Sequence, residues 1–197
     1  MFSDSSILDL HHKYAASQAG FEVVYGHCQV VAEIAMQLAP KSWAPETLDR
    51  MRAGALLHDI GAYAFVEYGG QVDSKLYIQH GVRGAEILAQ EGFDEQFCRF
   101  CSCHTGVGLT KEAIVRQGLP LPHQDFVAET AAERLVMYAD KFHTKSDPPK
   151  FMSYDAYRRF VVKFGAELPA QFDELEREFG KPELTALGKR YGQAIEE

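Results

Sequence analysis

The sequence has no long hydrophobic run and no excess of basic residues. Its 197 residues include 20 Lys and Arg against 28 Asp and Glu, which gives a net charge of -8 at pH 7. Without a basic stripe, this balance argues against a nucleic-acid polymer or an anionic membrane as partner. No apolar segment reaches the roughly 20 residues of a membrane-spanning helix, and the N-terminus lacks the basic and then apolar start of a signal peptide. We therefore predict a cytoplasmic protein that does not bind membranes.

Cysteine is also scarce, with four residues in the chain. Cys28 stands alone, whereas Cys98, Cys101 and Cys103 cluster beside His104. A structural zinc site usually needs a second pair of ligands elsewhere, and none is visible. We predict buried, reduced thiols in preference to a zinc knuckle.

What the chain does have is an ordinary globular content of apolar side chains, 46%, with 13 Phe and 9 Tyr. Apolar residues recur at helical spacing, and no segment alternates like a strand, so we predict an all-α fold. The length favours a single domain over residues 1–197, with its chemistry between about 10 and 145. Residues 150–197 read as a helical extension whose aromatic stripes indicate core or a homodimer surface, without chemistry of their own.

Polar residues interrupt the apolar faces of several predicted helices. Six of them are predicted to face inward: His27, His58, Asp59, His80, His104 and Asp140. One such histidine would normally be a hydrogen-bonded core residue. Six buried imidazoles and carboxylates are costly unless they share a cationic partner, and this mixture of nitrogen and hard oxygen suits Fe, Mn, Co, Ni or Zn. His11 and His12, in a polar setting, read instead as surface residues.

The sequence also predicts where the helix that leads to His58 begins and ends. Pro45 suits its first turn, and Gly61 is expected to end it in a left-handed turn. His80 opens a later helix in which Gly81 and Gly84 would let a neighbouring backbone approach closely. The negative net charge is compatible with a small phosphorylated ligand, because bound divalent cations can supply the positive charge that the side chains lack.

The order of these residues resembles that of the HD-domain superfamily of metal-dependent phosphohydrolases. His27, the His58-Asp59 pair and Asp140 match its pattern of a His, a His-Asp and a distant Asp on separate helices. Residues 57–61, Leu-His-Asp-Ile-Gly, match its HDIG variant, and His80-Gly81 with His104-Thr105-Gly106 resemble the extra histidines of two-metal members. The resemblance implies an HD-domain helical bundle.

The resemblance also implies two divalent transition metal ions, Fe or Mn first, with Ni, Co, Zn or Mg as alternatives. Metal one would take His27, His58, Asp59 and Asp140. Metal two would take His80 and His104 and share Asp59 as a bridge. Such a pair activates water and neutralises charge on a phosphoryl group, so the expected substrate is a nucleotide or another small phosphate ester.

One departure from the family pattern concerns a lysine that often follows the HDIG glycine, where this chain has Ala62. Arg83 and Lys141 are the candidates to contact phosphate in its place, with Asp59 as the central catalytic residue. Two alternatives stay open. A mixed-valent di-iron oxygenase of the HD type would use the same ligands but usually includes a substrate lysine, and a non-catalytic nucleotide-sensing domain would not need an intact metal pair.

Overall fold

Ten α-helices run through the part of the chain that the computed structural model describes, residues 3–67, 69–71 and 76–197. They are α1 (Asp4–Tyr14), α2 (Gln18–Leu38), α3 (Pro45–Leu57), α4 (His80–Gln90), α5 (Glu95–Ser102), α6 (Lys111–Gln117), α7 (Ala131–Asp140), α8 (Tyr154–Val161), α9 (Leu168–Phe179) and α10 (Thr185–Tyr191). Two short strands, β1 (Phe151–Met152) and β2 (Ile195–Glu196), pair in parallel. The all-α prediction is confirmed. The sequence predicts an irregular connection over residues 63–79. Its described ends belong to the 3-10 helices Ile60–Phe65 and Tyr77–Gln79, and Asp73-Ser74 lies outside the described residues.

Local signals in the sequence explain where several helices begin. Pro45 occupies the first turn of α3, where its missing N–H costs nothing. The Asp94 side chain accepts a hydrogen bond from the backbone N–H of Phe97 at 3.1 Å and so caps α5. Thr130 and Glu133 form a reciprocal capping box at the start of α7. The start of α3 at Pro45 was predicted from the sequence.

The core forms around α2, which packs against α3 and α7, while α4 packs against α5. The C-terminal helices belong to the same core, because the ring of Phe172 on α9 lies 5.2 Å from that of Tyr138 and 6.1 Å from that of Phe142. Phe172 is completely buried, whereas Phe164 is 51% exposed. The aromatic stripes are therefore largely core, and a homodimer stays a prediction.

Gly61 acts by close approach and not by a left-handed turn, so that expectation was wrong. The backbone continues beyond α3 as a 3-10 helix, Ile60–Phe65, and Gly61 does not have a positive φ. A Cβ atom at Gly61 would lie 2.1 Å from the carbonyl oxygen of His80 and 2.2 Å from the nitrogen of Gly84. The missing side chain lets α4 lie directly against the end of α3. The predicted close approach at Gly81 is confirmed, since a Cβ there would lie 2.7 Å from the carbonyl oxygen of Cys101.

His11 corrects a second expectation, because it is buried and not on the surface. Its ring nitrogens contact the Tyr63 hydroxyl at 2.9 Å and the Leu56 carbonyl oxygen at 2.8 Å, which ties α1 to the end of α3. Helical spacing places it on the apolar side with Ile7. His12 is exposed, as predicted.

The four cysteines are free thiols, three of them buried and Cys98 half-buried. Within residues 3–67, 69–71 and 76–197, no helix combines the length and apolarity needed to cross a membrane.

Candidate metal centre

The six inward polar residues of the sequence meet at one place in the interior. His27 lies in the middle of α2, His58 and Asp59 follow the end of α3, and His80 starts α4. His104 follows the end of α5, and Asp140 ends α7. The three residues His27, His58 and Asp59 are at most 1% exposed, and the Asp140 side chain is 12% exposed. Five helices thus deliver nitrogen and oxygen donors to a common buried cluster.

Asp59 lies between two sets of histidines and presents a different carboxylate oxygen to each. Its Oδ1 is 3.5 Å from His80 Nε2 and 3.7 Å from His104 Nε2. Its Oδ2 is 3.7 Å from His27 Nε2. Donors that share an ion at about 2.0–2.2 Å lie roughly 3 to 4 Å from one another, so these spacings suit coordination.

On the other side of His27, Asp140 supplies the next donor. Asp140 Oδ1 is 2.9 Å from His27 Nε2 and 3.5 Å from His58 Nε2. The donors of His27, His58 and Asp140 form one metal-capable group, and those of His58, Asp59 and His104 form another. His58 belongs to both groups, so the two sets adjoin.

Hydrogen bonds at Nδ1 orient three of the rings so that their Nε2 atoms point toward the cluster. Nδ1 of His58, His80 and His104 each lies within 2.7 Å of a backbone carbonyl oxygen, which makes Nδ1 the protonated nitrogen. The Nε2 atoms of His80 and His104 then face each other at 2.9 Å as two lone pairs. Two facing acceptors are unfavourable without a cation between or beside them.

Several buried atoms of the cluster have no hydrogen-bond partner. They include His58 Nε2 and both carboxylate oxygens of Asp59. A buried carboxylate without hydrogen bonds costs several kcal/mol unless a cation compensates for it. The residues present therefore fit divalent metal ions well, both in donor chemistry and in orientation.

Lys145 enters this cluster although its sequence position gave no sign of it. Its Nζ lies 2.5 Å from Asp59 Oδ2, an ion pair outside hydrogen-bond geometry, and its side chain is only 13% exposed. Burial alone would lower the pKa of Lys145, but Asp59 and the other acidic neighbours hold that pKa well above its usual range. The ammonium is therefore charged. Its position five residues after Asp140 is the only signal that the sequence carries.

The two cations proposed from the sequence are placed differently. Lys141 is buried, and its Nζ donates to Asp140 Oδ2 at 2.6 Å and to the His104 carbonyl oxygen at 2.8 Å. Arg83 points away on the exposed face of α4 and pairs with Glu86 at 2.9 Å. Ala62 is completely buried. The structure thus brings Lys141 and Lys145 to the cluster and leaves Arg83 outside it.

A hydrogen-bonded chain orients His27 from the C-terminal segment. The side-chain oxygen of Gln193 contacts His143 Nε2 at 2.8 Å, and His143 Nδ1 contacts His27 Nδ1 at 2.9 Å. Burial lowers the pKa of His143 to about 4 and that of His27 to about 3, so both rings are neutral at pH 7. With a metal ion on His27 Nε2, His27 would donate from Nδ1 to His143 Nδ1, and His143 would donate from Nε2 to Gln193 Oε1. In the metal-free protein, His27 Nε2 donates to Asp140 Oδ1 at 2.9 Å.

These hydrogen bonds bring the C-terminal segment next to the cluster, although residues 150–197 were expected to carry no chemistry of their own. The β1–β2 pair draws the segment after α10 against the segment after α7, and this places Gln193 beside His143. Sequence reasoning missed Gln193 and His143, because neither belongs to a recognisable motif.

The Gln193→Met variant is expected to bind metal about tenfold more weakly, because partners behind a metal-ligating His contribute 10- to 100-fold in affinity. Gln193→Glu retains the acceptor and is expected to bind metal at least as tightly as the wild-type protein. The measurement is titration of the metal-free protein with Mn²⁺. A purely structural role for Gln193 would instead weaken both variants in thermal stability and leave their affinities alike.

The sequence model of the family described as HD domain matches residues 24–145, more than half of the chain. The chain belongs to the HD-domain family. The matched region contains all six residues of the cluster and ends at Lys145.

Curated relatives of this HD domain carry different names. The chain is 35% identical over 156 residues to an uncharacterized protein of Methanocaldococcus jannaschii, covering 76% of this chain and 82% of the relative. It is 34% identical over 165 residues to a tRNA (cytidine(56)-2'-O)-methyltransferase of Thermoplasma volcanium, covering 83% of this chain but 44% of that protein. A Picrophilus torridus protein of the same name is 34% identical and is covered over 32% of its length. The chain thus spans less than half of either methyltransferase.

Solved structures show the same fold. The HD domain of the L. monocytogenes phosphodiesterase PgpH superimposes with a TM-score of 0.54 at 15% identity, covering 87% of each chain. The structure of that domain in complex with cyclic-di-AMP superimposes with a TM-score of 0.56 at 15% identity, covering 97% of this chain and 99% of the other. The predicted HD-domain bundle is confirmed.

Proposed function

We propose that this HD domain is a metal-dependent phosphohydrolase that acts on a nucleotide or another small phosphate ester through a binuclear metal site. The observation that carries the proposal is the position of Asp59, whose two oxygens make no hydrogen bond and face separate histidine sets, with the Lys145 ammonium as the ion-pair partner of Oδ2. Metal one is assigned to His27, His58, Asp59 and Asp140, and metal two to His80, His104 and Asp59. Fe or Mn is the expected metal. A pair of divalent ions there would lower the pKa of a water molecule and neutralise charge on the phosphoryl group.

The protein's own residues supply a suitable setting for a phosphate. Lys141, Lys145 and Lys150 line a cavity of about 370 Å³ that Asp140 and Glu196 also border, and Lys150 Nζ lies 2.5 Å from Glu196 Oε2. Lys141 holds the Asp140 carboxylate in place through its 2.6 Å contact. Charged donors that converge beside the metal ligands favour an anionic substrate group. Their hydrogen bonds to that group become stronger when water is excluded. We therefore assign phosphate binding to Lys145, with Lys141 as the residue that orients Asp140.

The decisive experiment is metal analysis of anaerobically purified protein followed by a phosphate-release screen. Mononucleotides, cyclic dinucleotides and simple phosphate esters form the panel, since the structurally similar PgpH domain was solved with cyclic-di-AMP. We expect about two metal ions per chain and hydrolysis of at least one class, detected as free phosphate for the monoesters and as a linear dinucleotide for the cyclic dinucleotides. Metal-loaded protein that binds a nucleotide without turning it over would support a sensing domain instead. We do not carry over methyl transfer, because this chain covers less than half of each relative with that name.

A second candidate is favoured by Lys145 itself. The oxygenase alternative was disfavoured on the absence of a lysine near the metals, but the Lys145 side chain, 13% exposed, lies with its Nζ 2.5 Å from Asp59 Oδ2. That argument against an HD-type mixed-valent di-iron oxygenase therefore no longer holds. Oxygen consumption coupled to turnover of an organic substrate, with no release of phosphate, would establish the oxygenase.

The Lys145→Met variant is expected to bind metal more tightly and phosphate more weakly. The ammonium beside Asp59 repels cations and attracts phosphate, and methionine removes the charge at similar length. We expect inorganic phosphate to bind the metal-loaded variant roughly tenfold more weakly, about the loss of one charge-assisted hydrogen bond. Calorimetric titrations with Mn²⁺ and then phosphate measure both. Lys163→Met, at an exposed position, serves as the matched control, and weaker metal binding in Lys145→Met would contradict the assignment.

A further inference from the structure

Tyr77 places a buried hydroxyl beside the metal centre. The residue starts the 3-10 helix Tyr77–Gln79, which leads directly into α4 and His80. Its ring stacks on the imidazole of His80, with the centroids 4.3 Å apart and the planes at 14°. Its backbone carbonyl oxygen lies 2.5 Å from His80 Nδ1. Tyr77 therefore fixes both the plane and the Nδ1 edge of one proposed metal ligand.

The hydroxyl of Tyr77 is not used by this support of His80. No described residue makes a hydrogen bond of normal geometry with it, although the atom is buried. Burial raises the pKa of Tyr77, the carboxylate of Asp59 raises it further and the ammonium of Lys145 lowers it, so both charged groups lie near the phenol. Lys145 Nζ is 5.8 Å from the centre of the ring. An ammonium can only donate hydrogen bonds, so Lys145 leaves the O–H proton of Tyr77 without an acceptor.

An unused donor in this position is costly to the protein alone. A buried hydroxyl without a hydrogen bond destabilises the fold, and a phenylalanine ring would fill the same space without that cost. An acceptor from outside the chain would complete the hydrogen bond. His80 and Asp59 are ligands of the proposed second metal ion, and the acceptors that a phosphate ester brings to such an ion are oxygen atoms.

We propose that the hydroxyl of Tyr77 donates a hydrogen bond to a phosphoryl oxygen of the substrate, with Lys145 Nζ as the second donor to the same group. This inference rests on the proposed function, since it adds a catalytic residue to that site. A neutral donor can stabilise charge that develops on the phosphoryl oxygens without adding a net charge beside the metal ligands. The proton stays on Tyr77, so no O–H bond of the phenol breaks.

Tyr77→Phe tests the hydroxyl alone, because it keeps the ring that stacks on His80 and the backbone carbonyl oxygen. In calorimetric titrations, we expect Mn²⁺ to bind this variant as tightly as the wild-type protein. Inorganic phosphate is expected to bind the Mn²⁺-loaded variant about tenfold more weakly, the loss of one hydrogen bond to a charged group. The melting temperature of the metal-free variant should equal or exceed that of the wild-type protein, because the unsatisfied hydroxyl is gone.

Tyr63→Phe is the matched control. Tyr63 is also buried, but its hydroxyl contacts His11 Nδ1 at 2.9 Å. This variant should melt at a lower temperature through the lost hydrogen bond and keep its phosphate affinity, the reverse of what we expect for Tyr77→Phe.

Three results would overturn the proposal: no phosphate binding by the Mn²⁺-loaded wild-type protein, undiminished phosphate affinity in Tyr77→Phe, or equal losses of Mn²⁺ and phosphate affinity in that variant. The last would mean that Tyr77 only supports His80. Failure of the proposed function is distinguishable from these results. Weaker phosphate binding in Tyr77→Phe, with unchanged Mn²⁺ affinity and a wild-type protein that hydrolyses no phosphate ester, supports the hydrogen bond and removes the hydrolase.

Discussion

The Asp59→Ala variant is expected to purify without bound metal and to lose phosphate-ester hydrolysis by about a thousandfold or more. Among the described residues of the cluster, Asp59 is the carboxylate that faces both histidine sets, through Oδ1 on one side and Oδ2 on the other. Its loss removes a ligand from each proposed ion together with the negative charge that balances them. Metal content per chain and phosphate release measure the two effects.

The matched control is Asp49→Ala, which removes an exposed carboxylate from α3, the helix that ends just before His58 and Asp59. This variant should keep its metals and activity. Circular dichroism on both variants verifies that the helices form. A full metal complement in Asp59→Ala would refute the binuclear assignment.

The His104→Ala variant is expected to fall from two metal ions to one while it keeps its fold. His104 Nε2 lies 2.9 Å from His80 Nε2, so its removal breaks the proposed second set. His27, His58, Asp59 and Asp140 would still hold the first ion. Activity should nevertheless fall on the order of a hundredfold or more, because one ion cannot both activate water and balance the phosphoryl charge as well as two.

If His104 had a purely structural role, a different result would be expected. Truncation would cost about 1 to 3 kcal/mol of stability through the lost hydrogen bond to the Cys101 carbonyl oxygen, and metal content would not change. Metal stoichiometry and melting temperature on the same protein separate the two cases. His123→Ala, at an exposed loop position, controls for the general effect of removing a histidine.

Helix content and the six members of the cluster could be predicted from the sequence because both follow from local spacing. An imidazole at the same helical spacing as Val24 and Val31 must face the core, as His27 does, whatever the helix packs against. Capping residues such as Thr130 act within four residues and are equally readable. The order of His27, His58-Asp59 and Asp140 then pointed to the HD-domain family.

The contacts that lie outside helical periodicity could not be read in this way. Lys145 follows α7 in an irregular segment, and the same sequence would look like a solvated surface lysine. Gly61 was read as a helix stop, because close approach of another helix produces the same requirement for glycine. His11 was placed on the surface by its polar neighbours, although Ile7 shares its buried face.

The sequence by itself determined the helices, their buried faces and the donor types of the candidate metal centre, since each depends on residues within a few positions of one another. Only the tertiary structure decided which oxygen of Asp59 faces which histidines, that Lys145 and not Arg83 reaches the cluster, and that Gln193 supports His27 through His143. The physical reason is distance along the chain. Gln193 and His143 are 50 residues apart and meet only because β1 and β2 pair.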